Sequence, residues 1–208
     1  MKTILKYFTD FTQTQIEQFE KIEAVYRDWN AKINVISRQD IDHIYLHHVL
    51  HSLSIAAHVN FRPGSKILDL GTGGGFPGIP LAIFFPEVDF HLIDARRKKI
   101  TVVNEVIQTL NLSNVYASHL RAEEVKEKYD FVVTRAVAPL EDLVRWSRPL
   151  IAKEDRNSIP NGIIALKGGA LKKEYKTVAK SVYIEETKIS NYFKDPYFQA
   201  KYLVYLQY

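Results

Sequence analysis

The chain predicts an α/β protein, a doubly wound sheet of seven strands preceded by a helical extension. Three observations carry that prediction. Residues 66–78 read as a short apolar run, a glycine-rich loop and the opening of a helix. From there to the C-terminus, strand and helix patterns alternate, as they do when helices cover a mostly parallel sheet. Ahead of it, apolar residues recur at helical spacing. The 208 residues divide into a helical extension over 1–62 and a sheet domain over 63–208, packed as one compact unit.

In the extension, Ile16, Phe19, Ile22, Tyr26, Trp29 and Ile33 recur at steps of three and four, giving one helix a single apolar face. A second helix is predicted over about 40–59, burying Ile44, Leu46, Val49, Leu50, Leu53, Ile55 and Ala56. Tyr7, Phe8 and Phe11 fit either the core or a surface that stacks on bases. Arg62-Pro63-Gly64 interrupts the chain. Strands follow near 66–70, 90–93, 115–118, 131–134, 162–166, 182–189 and 202–206, and helices near 79–85, 98–110, 141–150 and 171–179. The last two strands have no helix pattern between them and form a hairpin closing the sheet. Ligands of such sheets bind beyond the carboxyl ends of the strands, where strand order reverses. Asp69, Asp94, the Ala122-Glu123 turn and Arg135 all lie at or just past predicted strand ends.

Composition narrows the class. The chain has no cysteine, which removes disulfides, thiolate metal sites and a cysteine nucleophile, and predicts a cytoplasmic protein. No apolar run reaches membrane-spanning length, and the N-terminus lacks the basic-then-apolar layout of a signal peptide. A net charge of +4 permits a nucleic-acid partner without requiring one.

The segment Lys66-Ile-Leu-Asp-Leu-Gly-Thr-Gly-Gly-Gly-Phe-Pro-Gly78 has the chemistry of a nucleotide-cofactor site. Gly71, Gly73, Gly74 and Gly75 let the backbone turn tightly and approach a ligand closely. Two cofactor classes compete, beside a purely structural turn. Gly73, Gly75 and Gly78 satisfy the spacing of dinucleotide-binding loops, which seat a diphosphate at a helix N-terminus. Asp69, two residues before Gly71, favours the other class, because a carboxylate there repels a diphosphate and suits a sulfonium and an amino group. Asp94 ends the second strand, where an acid accepts from ribose hydroxyls; capping the next helix is its alternative role. Asp69-Leu-Gly71-Thr-Gly73-Gly-Gly75 resembles the first motif of the class I S-adenosylmethionine-dependent methyltransferases, whose Rossmann-like fold ends in such a hairpin.

A narrower resemblance runs from about Trp29 to the C-terminus. Trp29-Asn30, Asn34, His48-Val-Leu-His-Ser52-Leu, Leu70-Gly-Thr-Gly-Gly-Gly-Phe-Pro-Gly-Ile-Pro80, Arg121-Ala-Glu-Glu124, Thr134-Arg-Ala-Val-Ala138 and Leu166-Lys-Gly168 occur in order. Together they resemble the glucose-inhibited division protein B family, the ribosomal RNA small subunit methyltransferases G. The family commonly has Asp where His51 stands. The resemblance implies methyl transfer from S-adenosylmethionine to N7 of one guanine in 16S ribosomal RNA, with free RNA or the small subunit as partner. It implies that Gly71 and Phe76 lie against the methionine and ribose of the cofactor, and Ala122 and Glu123 at its adenine edge. Asp69, Gly73, Asp94 and Arg135 complete the expected cofactor set, and a monomer is expected.

Arg135 follows a strand that reads as buried, so it needs a partner: cofactor and RNA, or a structural ion pair with Asp130 or Asp142. It is expected to position the reactants, since an arginine stays protonated and cannot act as a base, and no conventional general base is expected. Arg96, Arg97 and Lys98, beside Lys99, and Lys167, Lys172 and Lys173, near the Gly168-Gly169 turn, are either phosphate contacts or solvated faces. His43, His47 and His51 have a helical spacing that can hold a metal, but no fourth ligand is evident and no metal is predicted.

Overall fold

A computed structural model describes residues 1–37, 40–178 and 180–208. Its strands are β1 (Lys66–Leu70), β2 (Asp89–Asp94), β3 (Val115–His119), β4 (Phe131–Arg135), β5 (Gly162–Gly168), β6 (Tyr183–Lys188) and β7 (Lys201–Gln207). Among the described residues they form one sheet in the order β3-β2-β1-β4-β5-β7-β6. The first five are parallel, while β7 inserts antiparallel between β5 and β6. Strand order therefore reverses between β1 and β4, opening a crevice past their carboxyl ends.

The helices are α1 (Lys2–Leu5), α2 (Gln13–Lys32), α3 (His51–His58), α4 (Gly78–Phe84), α5 (Arg97–Thr109), α6 (Leu140–Ser147) and α7 (Lys172–Thr177). Thr12 caps α2 by accepting from Gln15 N, and the Gln15 side chain accepts in return from Thr12 N. The buried stripe Phe19, Ile22 and Tyr26 faces the core, with α2 packed against α4 and α5. Side chains alternate along β1: Ile67 joins the cluster containing α2, α3, α4 and α5, whereas Leu68 and Leu70 join the opposite cluster with Leu140 and Leu143 of α6. The N-terminal helices share that first cluster with the sheet, and Tyr7, Phe8 and Phe11 pack against it.

Two predicted helices differ. The helix expected over 40–59 is a 3-10 turn (Ile41–His43), a π-helical stretch (Ile44–Leu50) and then α3. The His47 carbonyl inside that stretch accepts from Arg135 Nη1 and the Tyr197 hydroxyl, donors from elsewhere in the fold that periodicity cannot foresee. The helix expected over 141–150 ends at Ser147 and passes into a 3-10 turn (Arg148–Leu150), since Pro149 has no N–H to continue it. In the last helix, expected over 171–179, α7 spans six residues, and Ala179 lies outside the described ones.

Where β5 meets β7, a Cβ built on Gly162 would stand 2.3 Å from the Leu206 carbonyl oxygen, a backbone atom that cannot yield. Gly162→Ala is expected to destabilise the fold by about 2–3 kcal/mol through overpacking. Urea unfolding reads this directly, and an unchanged midpoint would show that the strands part without cost.

Candidate active site

Past the ends of β1 and β4 lies a cavity of about 620 Å3, lined by Gly71, Thr72, Gly73, Gly74, Phe76, Asp94, Arg96, Lys99, Arg135, Tyr197 and Lys201 among others. A smaller one of about 220 Å3, lined by Leu120, Ala122, Glu123 and Trp146, adjoins it. Both share Gly71, Asp94, Ala95 and Val137, so together they form a trough across the end of the sheet.

The glycine loop is fixed from below. Tyr26, fully buried on α2, donates its hydroxyl to Gly74 O at 2.6 Å. Gly75 has φ +97°, and a Cβ there would meet Ile79 at 2.7 Å and the Tyr26 hydroxyl at 2.8 Å, so both backbone and space require glycine. At Gly71, with φ +71°, the missing side chain leaves room for Val137, which lies over the loop between the two cavities. Ala136 reaches this turn with φ +53°.

Asp69 corrects the sequence-based expectation. Expected at the mouth of the loop, it is fully buried beneath it, on the Ile67 face of β1, and does not line the trough. Its Oδ2 accepts from Thr72 Oγ1 at 2.6 Å and Gly78 N at 2.8 Å, pinning the loop to the start of α4. Burial pushes its carboxyl up to about 7, against the two hydrogen bonds and Arg135, which favour the anion. Its Oδ1 has no partner among the described residues. Asp94 ties down the turn after its own strand: Oδ1 accepts from Arg96 N just ahead of α5, without capping the first turn of that helix, Oδ2 accepts from Gly73 N, and the carboxylate borders both cavities.

Arg135 has neither of the ion-pair partners considered for it: Asp142 pairs with Arg145, and Asp130 binds Lys66 N and faces Arg156. Its guanidinium donates to His47 O at 3.1 Å and His48 Nδ1 at 2.9 Å and stacks 5.3 Å from the Phe76 ring centre. Burial, and then the Arg135 charge, push His48 down to about 3, so it is neutral with its proton on Nε2. Phe76 is a core aromatic, packed on Tyr26 and His48, and also lines the cavity. Ala122 and Glu123 form a short turn in which Glu124, rather than Glu123, closes the cap by accepting from Arg121 N.

The basic residues sort differently from their sequence clusters. Arg96 and Lys99 line the cavity, but Arg97, Lys98, Lys172 and Lys173 do not. Lys167 borders it with its charge engaged, 2.7 Å from Glu174 Oε2 and donating to Ala138 O. Tyr197, in the connection from β6 to β7, and Lys201, at the start of β7 and 5.0 Å from the Tyr197 ring centre, also line the cavity, and no local sequence pattern marks them. His43, His47 and His51 meet no metal-ligating cluster among the described residues; His51 is buried, and its imidazole is pushed well below the usual range by burial and Arg135.

Solved structures share this architecture. It resembles the ribosomal protein L11 methylase of Lactobacillus delbrueckii subsp. bulgaricus, with TM-score 0.57 and 16% identity over 76% of each chain. It also resembles fibrillarin of Aeropyrum pernix, solved with natively bound S-adenosyl-L-methionine, with TM-score 0.57 and 14% identity over 76% of this chain and 74% of that one. The fold is that of the class I methyltransferases. Sequence is more specific. The family model GidB, rRNA small subunit methyltransferase G, matches residues 15–195. Ribosomal RNA small subunit methyltransferase G of Bacteroides thetaiotaomicron is 52% identical over 212 residues covering 100% of both chains, and that of Flavobacterium psychrophilum 52% over 206 residues covering 99% and 97%. The chain belongs to the rRNA small subunit methyltransferase G family.

Proposed function

We propose that this protein transfers a methyl group from S-adenosylmethionine to N7 of a guanine in 16S ribosomal RNA. The observation that carries this reading is the trough, two joined cavities bridged by Asp94 and Gly71 and rimmed by Arg96, Lys99, Arg135 and Lys201. Its dimensions suit an extended nucleoside cofactor. The Ala122-Glu123 end would take the adenine, Asp94 the ribose, and the Gly71 to Gly73 backbone with Phe76 the methionine. Bound there, the cofactor supplies an electrophilic methyl on a sulfonium. Asp69 serves by holding the loop to Thr72 and the start of α4.

Guanine N7 fits because its lone pair is free before reaction, so nothing must be deprotonated to make the nucleophile. Carbon methylation of a pyrimidine by the covalent route needs a cysteine, and the chain has none. Rate then depends on holding N7 in line with the methyl, the role assigned to Arg135. The cationic rim suits RNA phosphate, with Arg96, Lys99 and Lys201 better placed than Lys167, Arg97, Lys98, Lys172 or Lys173. Among the described residues no helix is long and apolar enough to cross a membrane. A target in the small ribosomal subunit would place the protein in the cytoplasm, where we infer that it acts as a monomer.

The test supplies labelled S-adenosylmethionine with small subunits, free ribosomal RNA or a metabolite extract. Label at N7 of one guanine is expected, with affinity for the RNA substrate falling steeply as salt rises. Label confined to metabolites would replace this reading with small-molecule methylation, and RNA binding without transfer would replace it with a binding module.

A further inference from the structure

The larger cavity holds a feature that the proposed cofactor contacts leave unused. His47 Nδ1 lies 2.8 Å from Asp40 Oδ1. Its ring stacks on Tyr197 at 4.0 Å with 13° between planes, and the His43 ring lies 4.8 Å from it. The Tyr197 hydroxyl donates to the His47 backbone carbonyl, as does Arg135. The ring is thus fixed in position and tilt, and its Nε2 has no hydrogen-bond partner among the described residues, nor is it a buried orphaned atom. Asp40, His47, Tyr197 and Arg135 all line the cavity.

We propose that His47 is a catalytic proton acceptor on the acceptor base, with Asp40 as the positioning residue that orients it. This deepens, and rests on, the guanine N7 reading. Asp40 is kept ionised, its carboxyl held below the ordinary range chiefly by the hydrogen bond to His47. It therefore receives Nδ1–H and leaves Nε2 as an acceptor facing the cavity. A guanine presents N1–H as a donor. As the carbon–sulfur bond breaks and the N7–carbon bond forms, the sulfonium becomes a neutral thioether and the positive charge passes to the base, making N1–H more acidic. The hydrogen bond to His47 strengthens in step, and so favours the transition state over the ground state. The N1 proton moves to Nε2, the methylated base becomes net neutral, the imidazolium is held by Asp40, and solvent later takes the proton. The other groups facing His47 are Arg135 from β4, Tyr197 with Lys201 beyond it, His43 before it in the chain and His48 after it.

Two measurements test this. Single-turnover methyl transfer to small subunits is expected to fall about tenfold per pH unit on the acid side of the wild-type profile. His47→Gln abolishes that limb and lowers the rate about a hundredfold, Asp40→Asn moves it to lower pH, and imidazole restores His47→Gly. Calorimetry of N7-methylguanosine monophosphate binding, in alkaline buffers of differing ionisation heat in which the free nucleotide has already lost its N1 proton, is expected to show proton uptake by the wild type and none by His47→Gln. A His47→Gln profile superimposable on the wild type, or a wild-type rate that rises as His47 is protonated, overturns the proposal. Were the wild type to place its label elsewhere than guanine N7, the underlying reading would fail instead, whatever the variants did.

Discussion

Arg135→Ala is expected to reduce methyl transfer by about a hundred- to a thousandfold, the usual consequence of removing a preorganised charged donor. The guanidinium is held by three different things: a carbonyl in the π-helical stretch, a neutral imidazole and an aromatic face. Burial lowers its pKa, yet an arginine at this depth keeps its charge. Its orientation is therefore set before substrate arrives. Arg135→Lys is expected to recover only part of the rate, because one ammonium cannot serve carbonyl, imidazole and ring together. Circular dichroism should show both variants folded, since among the described residues Arg135 makes no ion pair. Full turnover on small subunits by Arg135→Ala would remove the residue from the site.

The second large effect concerns stability. Asp69 is fully buried with a carboxyl pushed to about 7, against an ordinary value of 3.8, chiefly by loss of water. The folded state thus holds the proton more tightly than the unfolded one, and protonation favours folding. Stability from this group is fullest below about pH 4, declines as pH rises, and is lost above about pH 7, a change of about 4 kcal/mol. Asp69→Asn keeps an oxygen for Thr72 and Gly78 and places an uncharged amide at the unpaired position. The variant should therefore gain on the wild type by about that amount between pH 4 and 7, in urea unfolding carried out across the range. A difference that stays level with pH would mean that Asp69 is not strained by its burial.

These two residues also mark how far sequence reaches. The strand, loop and helix around Asp69 are legible because each is written locally, in an apolar run and in glycines. The direction of the Asp69 side chain is equally written in strand alternation, which places it with Ile67 and beneath the loop, but proximity to the glycines suggested otherwise. Lys167 shows the opposite limit, since its Lys-Gly step marks a strand end correctly while Glu174, which neutralises it, is a matter of packing.

By itself the sequence determined the alternation of seven strands with helices, the C-terminal hairpin, the glycine loop, and Asp94, Ala122, Glu123 and Arg135 at strand ends, because these depend on periods and turns spanning a few residues. Only the tertiary structure decided that Arg135 leans on His47 and His48, that Tyr197 from the β6–β7 connection and Lys201 from the start of β7 reach the same cavity, and that Asp40 holds His47. Those contacts join segments up to about 150 residues apart, where no local pattern constrains the pairing and the packing of the sheet's two faces sets which side chains meet.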